Sequence, residues 1–330
     1  MSIAAIIANP ASGKDIRRLI AHGSVFDNQE KVRIVRRLIL GLEQAGVSKI
    51  IYMPDGYDIV SRALNAISPG IPVEAVEMPV RNNQTDTTEA AGIMETLGAK
   101  CLLVLGGDGT SRAACKGTVS LPILPLSTGT NNVFPVMGEA TVAGLAAGLV
   151  ACGRIPPEDC CSKLCMFDIL INDEVVDIAL VDAAVYDDVF LASKAVWHME
   201  KVPQLFLTRC SAGAIGLSAI GGQLREILPE EPRGLALTLG TPAAYSVTAP
   251  IAPGKFADVT VQRVEEMKPD ELFSISVSPA LIAVDGEREV EIPRGATASI
   301  RLNINGPRIV DIQKTMARSR ELGLFATSTS

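Results

Sequence analysis

A carboxylate, Asp108, stands between glycines in the stretch "LVLGGDGTSRAACKG", Leu103 to Gly117. The apolar run before it reads as a buried strand, and the segment after it reads as a helix. Glycines let a backbone approach a phosphate and adopt positive φ, and the free N–H groups of a helix start favour an anion. A carboxylate repels phosphate, so Asp108 is a poor choice for merely holding one. It calls for a metal to ligate or a hydroxyl proton to accept, and phosphoryl transfer supplies both tasks. A structural reading also fits: Asp108 caps the helix that starts near Thr110.

Two further turns have the same texture, "NPASGK" at Asn9 to Lys14 and "STGTNN" at Ser127 to Asn132, each directly after an expected strand. In a parallel sheet the strand ends share one edge, so these turns converge in a crevice of the kind where ligands bind. Each alone is a weak signal, because glycine turns often only connect elements. Two familiar nucleotide signatures are absent. A dinucleotide site needs GxGxxG after the first strand. A P-loop needs glycine where the chain has Ala8, and serine or threonine where it has Asp15. Lys14 and Arg112 are each within a turn's reach of a phosphate, and each reads equally well as an ordinary surface charge.

The elements that must position these turns alternate strand and helix up to about Arg154. "IAAIIANP", "KIIYMP", "IPVEAVEMP", "KCLLVLGG" and "LPILPLS" read as strands. "EKVRIVRRLILGLEQAG" reads as a helix with Val35, Leu38, Ile39 and Leu42 on one face, and helices in "YDIVSRALNAIS", "TDTTEAAGIMETLG", "TSRAACKG" and "EATVAGLAAGLVA" follow the other strands. Thr85 or Asp86 is available to cap the third helix. Such βα units with continuous apolar strands imply a parallel sheet covered on both faces. After "CGRIPPEDCCSK" the texture becomes mostly β: two strands flank the Asn172-Asp173-Glu174 turn, and short strands follow, interrupted by a helical stretch up to Pro203. The expected division is an α/β lobe over 1–154 and a β-rich lobe over 155–309, with a helix in 310–325 returning to the first lobe.

A length of 330 residues suits two domains. The formal net charge of -7 and the lack of a long basic tract argue against nucleic acid and against membrane surfaces. "MSIAAIIANPASG" lacks a basic leader region and reads as a first strand, and no run reaches the length of a membrane span. The expected compartment is the cytoplasm. Seven scattered cysteines suit reduced thiols, and Cys160, Cys161 and Cys165 lack the spacing of a zinc site, with His22 and His198 distant in sequence. Trp197, His198 and Met199 are expected to serve packing.

"NPASGK", "GGDGT" and "STGTNN" together resemble the NAD kinase and diacylglycerol kinase superfamily. "TDTTEAAGIMETLGAKCLLVLGGDGTSRA" and "LSTGTNNVFP" are most similar to its acetoin-catabolism protein X branch, and "ALVDAAVYDDVFLASKAVW", "AGAIGLSAIGG" and "AVDGEREVEI" extend the likeness over almost the whole chain. The resemblance implies an NAD kinase-like fold of two lobes: an α/β N-terminal lobe with a Rossmann-like parallel sheet, a β-rich C-terminal lobe, and the active site in the cleft. It implies catalysis at Asp108, which would also hold Mg2+, with Asp182 and Glu287 as further catalytic carboxylates. It implies nucleotide contacts at Asn9, Ser12, Gly13, Lys14, Gly106, Gly107, Gly109, Thr110, Thr128, Gly129, Thr130 and Asn131.

One position departs from the NAD kinase pattern. An Asn-Asp or Asn-Glu pair that grips the dinucleotide is replaced here by Val181-Asp182, and a valine offers no amide. Asp285-Gly286-Glu287 is similar to an acidic element of the lipid-kinase branch, and reads equally as a hairpin turn. The implied activity is ATP-dependent transfer of a phosphoryl group to a hydroxyl of a small, nucleotide-like acceptor such as NAD(H), linked to acetoin catabolism. A non-catalytic nucleotide sensor and a diacylglycerol-type lipid kinase are the alternatives. A homo-oligomer, if the chain forms one, is expected to use the β-rich lobe.

Overall fold

The computed structural model describes residues 1–13, 27–129, 132–187 and 199–326, the side chains of 287–289 excepted. Strands β1 (Ile3–Ala8), β2 (Lys49–Tyr52), β3 (Val73–Ala75), β4 (Cys101–Gly106) and β5 (Pro122–Ser127) lie parallel in the order β3-β2-β1-β4-β5. Along β1, Ala4, Ile6 and Ala8 enter one apolar cluster while Ala5 and Ile7 enter another. That alternation is what burial on both faces demands of a strand, whose side chains point up and down in turn.

Helices α1 (Asn28–Gln44), α2 (Ile59–Leu64), α3 (Gln84–Thr96), α4 (Asp108–Gly117) and α5 (Ala140–Ala151) connect the strands. Asp27 caps α1 by accepting the Glu30 amide at 2.8 Å, and Val35, Leu38, Ile39 and Leu42 are fully buried. α1 and α5 approach until backbones touch: a Cβ at Gly41 would lie 2.4 Å from the Thr141 carbonyl. The cap of α3 is neither Thr85 nor Asp86 but Asn83, whose side chain accepts the Thr85 amide. Asp86 is turned back instead, accepting the amides of Arg81 and Asn82.

After a single turn, α6 (Pro157–Cys160), and strand β6 (Cys161–Lys163), the chain is antiparallel. Strands β7 (Met166–Ile171) and β8 (Glu174–Ala179) join through Asn172 and Asp173, both at positive φ, and a third strand, β9 (Asp182–Tyr186), continues the run. The remainder comprises β10 (Gln204–Leu207), the short helix α7 (Ser218–Gly222), β11 (Gly234–Leu239), β12 (Tyr245–Ala252), β13 (Lys255–Met267), β14 (Leu272–Ser274), β15 (Ala280–Val284), β16 (Glu287–Ile292) and β17 (Ala298–Asn303). Of the stretch expected to be helical up to Pro203, residues 188–198, with Trp197 and His198, lie outside the described residues. Met199–Lys201 form one 3-10 turn.

A seven-stranded sheet, β12-β13-β11-β10-β9-β15-β16, packs on a four-stranded sheet, β14-β17-β7-β8. Phe167, Ile169, Ile300 and Leu302 of the smaller sheet meet Ala183, Val185, Phe206 and Ile282 of the larger. The opposite face of the larger sheet, with Ala184, Tyr186, Leu205 and Leu207, is covered in part by α7 through Ala219 and Ile220.

The chain then returns. Strand β18 (Arg308–Val310) pairs parallel with β5 and antiparallel with β6, and helix α8 (Ile312–Glu321) packs against α5 and α6. The two halves also share a core. Leu180 and Val181, on the bend between β8 and β9, are buried in the same cluster as Ile7, Val104 and Phe134 of the parallel-sheet half.

Candidate active site

The turns after β1, β4 and β5 meet at one edge of the parallel sheet and are bonded to one another. The Asn9 side-chain amide donates to Thr110 Oγ1 at 2.9 Å, joining the first turn to the second. Thr128 Oγ1 donates to Ser12 Oγ at 3.1 Å, joining the third to the first. Asp108 accepts the amides of Val133, at 3.1 and 3.2 Å, and of Phe134, at 2.8 Å, joining the second turn to the chain after the third. Gln84, at the start of α3, adds a bond to the Gly109 carbonyl.

These bonds replace the helix-cap role for Asp108. It is the first residue of α4, and its carboxylate reaches across to another loop and not to its own helix, whose cap position is Gly107. The glycines matter for a reason other than positive φ. Gly107 has φ -104, and a Cβ there would lie 2.9 Å from Asn132 Oδ1. A Cβ at Gly106 would lie 2.5 Å from Thr110 Cβ. Among the expected nucleotide contacts, Gly13 alone among the described glycines has a left-handed φ, +80.

Beneath the first turn lies a residue that sequence reading missed. Lys31, on the first turn of α1, is fully buried, and its ammonium donates to the carbonyls of Asn9 at 2.8 Å, Pro10 at 3.3 Å and Ser12 at 2.6 Å. A trans peptide sets its N–H opposite its C=O. Drawing the Ser12 carbonyl inward therefore turns the Gly13 N–H outward, which suits an anion. The sequence carried a signal for this: Lys31 lies in line with Val35, Leu38 and Leu42, so a cation occupies the apolar stripe.

The antiparallel half brings a second carboxylate, Asp285, within electrostatic range of Asp108. Asp285 and Gly286 both have positive φ, 49 and 75, and link β15 to β16 as a two-residue hairpin, so the hairpin reading of this element holds. The Asp285 carboxylate is turned inward and accepts the amides of Leu180, Val181 and Asp182. Asp182 is buried, and its carbonyl accepts the Asp285 amide at 2.9 Å. The side chain of Glu287 lies outside the described residues, as do Lys14, Thr130 and Asn131.

Arg112 neither faces a phosphate nor sits on the surface. It is fully buried and pairs with Asp177 of β8 at 2.9 Å and with Asp285 at 3.8 Å, and Lys116 joins the same Asp177 at 3.1 Å. A second arginine that sequence reading missed, Arg209, lies just after β10. Its guanidinium is 5.0 Å from the centre of the Phe134 ring, and Nη2 donates to the Leu180 carbonyl at 3.3 Å. No motif or periodicity marks it.

Burial, reinforced by the negative charge of Asp285, pushes the Asp108 carboxyl up to about 6, against the pull of the Phe134 and Val133 amides and of Arg209. Burial likewise raises Asp285, opposed by Arg112, and lowers Arg209, opposed by Asp108 and Asp285. A carboxyl near 6 is well matched to taking a proton at neutral pH.

The donor set also bears on a metal. Asp108 Oδ1 receives two amides, while Oδ2 shares only the long Val133 contact and is the more open oxygen. Among the described residues no three His, Cys, Asp or Glu side chains are grouped to hold an ion. Oδ2 is thus the atom that would take a magnesium ion arriving on nucleotide phosphates. Among the described residues no helix is long and apolar enough to cross a membrane.

Comparison with known proteins bears on the family and the fold. A family profile described as ATP-NAD kinase N-terminal domain matches residues 5–155, and one described as Acetoin catabolism protein X C-terminal domain matches residues 165–305. Acetoin catabolism protein X of Cupriavidus necator is 37% identical over 330 residues, covering 95% of this chain and 91% of that protein. Yeast NADH kinase, solved in complex with NADH, is 14% identical with a TM-score of 0.50, covering 100% of this chain and 89% of that one. A diacylglycerol kinase from Bacillus anthracis is 12% identical with a TM-score of 0.41, covering 94% and 96%. The two-lobed architecture is that of the NAD kinase fold.

Proposed function

The chain belongs to the acetoin catabolism protein X family, and from that premise we propose that it is a kinase transferring a phosphoryl group from ATP to a hydroxyl of a small, nucleotide-like acceptor such as NAD(H). The family's name suggests a link to acetoin catabolism. The observation that carries the reading is Asp108: a carboxylate raised to about 6, partly exposed, at the meeting point of three polar glycine turns.

In this reading the turns at Asn9–Gly13, Gly106–Thr110 and Ser127–Gly129 hold the donor's phosphates through backbone N–H groups and hydroxyls. Asp108 orients the acceptor hydroxyl and takes its proton as the new oxygen–phosphorus bond forms and the bond to the departing diphosphate breaks. Asp285 and Asp182 shape the acceptor side. Magnesium, held by the donor's phosphates and Asp108, would neutralise phosphate charge.

A second reading, a nucleotide sensor without turnover, is favoured by one observation. Val181 is buried in the shared core and offers no amide to an acceptor. One experiment separates the two: purified protein, labelled ATP and magnesium, with NAD, NADH, small polyols and diacylglycerol as acceptors. Transfer to NAD or NADH is the expected result. ATP that raises the melting temperature with no transfer to any acceptor supports the sensor, and no response to ATP, ADP or NAD removes both readings.

A further inference from the structure

We infer that Arg209 is an anion-binding residue of the cleft, whose guanidinium edge receives a phosphate group of a bound nucleotide; this rests on the function proposed above.

The cations near Asp108 divide into two kinds. Arg112 and Lys116 are engaged by carboxylates, Arg112 by Asp177 and Asp285 and Lys116 by Asp177. Arg209 is only 6% exposed, yet it forms no salt bridge among the described residues. Its hydrogen bonds there are two and long, Nε to Thr208 Oγ1 at 3.5 Å and Nη2 to the Leu180 carbonyl at 3.3 Å. Nη1 has no hydrogen-bond partner among the described residues, and it is not sealed from solvent. A buried guanidinium without a direct counter-anion is costly and is rarely retained for packing alone.

Its surroundings point it toward the site. The Phe134 ring lies against the guanidinium, and the Phe134 amide is held by Asp108, so one residue fixes both the cation and the carboxylate. Asp108 and Asp285 both feel the Arg209 charge or exert theirs on it. A phosphate between Asp108 and Arg209 would meet a planar fork of donors, the geometry that suits phosphate oxygens best. This supplies a positive contact on the side where Val181 removes an amide, and it makes the ligand read there anionic.

The test is calorimetric titration of the full chain with inorganic tripolyphosphate, ATP and NAD at low salt, using wild type, Arg209→Gln and Arg209→Lys, with circular dichroism to confirm folding. Arg209→Gln is expected to weaken at least one of the three by tenfold or more, and Arg209→Lys by a smaller factor. Loss for tripolyphosphate and ATP assigns the phosphate to the donor, and loss for NAD alone assigns it to the acceptor. If Arg209→Gln does not fold, Arg209→Lys decides, since a point charge cannot reproduce the fork. Folded variants that bind all three as wild type does, even with a lowered melting temperature, overturn the inference while leaving the kinase reading intact. A wild type that binds none of the three overturns both.

Discussion

The Phe134 amide donates to Asp108 Oδ1 at 2.8 Å, so the carboxylate proposed to take a proton also fastens α4 to the chain beyond β5. Asp108→Asn keeps the size and one acceptor oxygen but loses the charge. Turnover is expected to fall on the order of a hundredfold or more, as removal of a general base typically does. The amide ties weaken, but the cost of burying the charge, which raises the carboxyl to about 6, is also removed, so the two oppose and stability at neutral pH is expected to change by no more than about 1 kcal/mol. Steady-state kinetics beside urea unfolding checks both; an Asn variant with wild-type turnover would leave Asp108 as a fastener only.

Proton linkage gives the same residue a pH signature. Its folded pKa, about 6, lies above its ordinary 3.8, so the folded state holds the proton more tightly. The stability this group contributes is present below about pH 4 and is lost as pH rises through about 6. Activity runs the other way, because the base must be ionised: kcat/KM is expected to rise through pH 6 and then level. Asp108→Asn should flatten both profiles in that window. A wild-type rate profile flat from pH 5 to 7.5 would contradict the base assignment.

How much of this was legible in sequence depended on distance along the chain. The three turns were visible because each is local, glycine-marked and set after an apolar strand, and strand alternation then places them on one edge. Arg112 was not, because its partners Asp177 and Asp285 arrive from the other half. The Asp108 ties to Val133 and Phe134 were hidden by the same separation, so a helix cap looked equally suitable. Asn83 outcompeted Thr85 and Asp86 as a cap because all three are good cap residues, and only the local backbone chooses among them.

Arg112→Met is expected to cost about 3 to 5 kcal/mol, because it leaves Asp285 buried without its cation and Asp177 with Lys116 alone. Chemical denaturation measures the loss. A variant within about 1 kcal/mol of wild type would mean that water or Lys116 compensates fully.

Lys31→Met removes the donor shared by three carbonyls, an expected loss of about 3 kcal/mol or more. ATP affinity should fall even where the variant remains folded, since the Gly13 N–H is no longer held outward. Titration at a temperature well below unfolding tests this, and unchanged affinity would confine Lys31 to a structural role.

Gly107→Val places a side chain against Asn132 Oδ1, which a Cβ alone would approach to 2.9 Å. Because φ is -104, the backbone itself tolerates valine. ATP affinity is therefore expected to fall on the order of tenfold, equivalent to about 1.4 kcal/mol, with a smaller loss of fold stability. Equal losses would mark the turn as structural.

The late return of β18 to β5 has a consequence for the chain as it is made. When Ser127 leaves the ribosome the parallel sheet already has its first five strands, but the partner for the outer edge of β5 is not synthesised until Arg308–Val310. At roughly 5 to 20 residues per second that wait is on the order of ten seconds or more, during which a central strand of the finished protein is an open edge. Pro125, which has no N–H to offer an intruding strand, faces that edge. The nascent protein thus carries its own guard against mispairing, built from a residue type poorly suited to a strand deep inside a sheet.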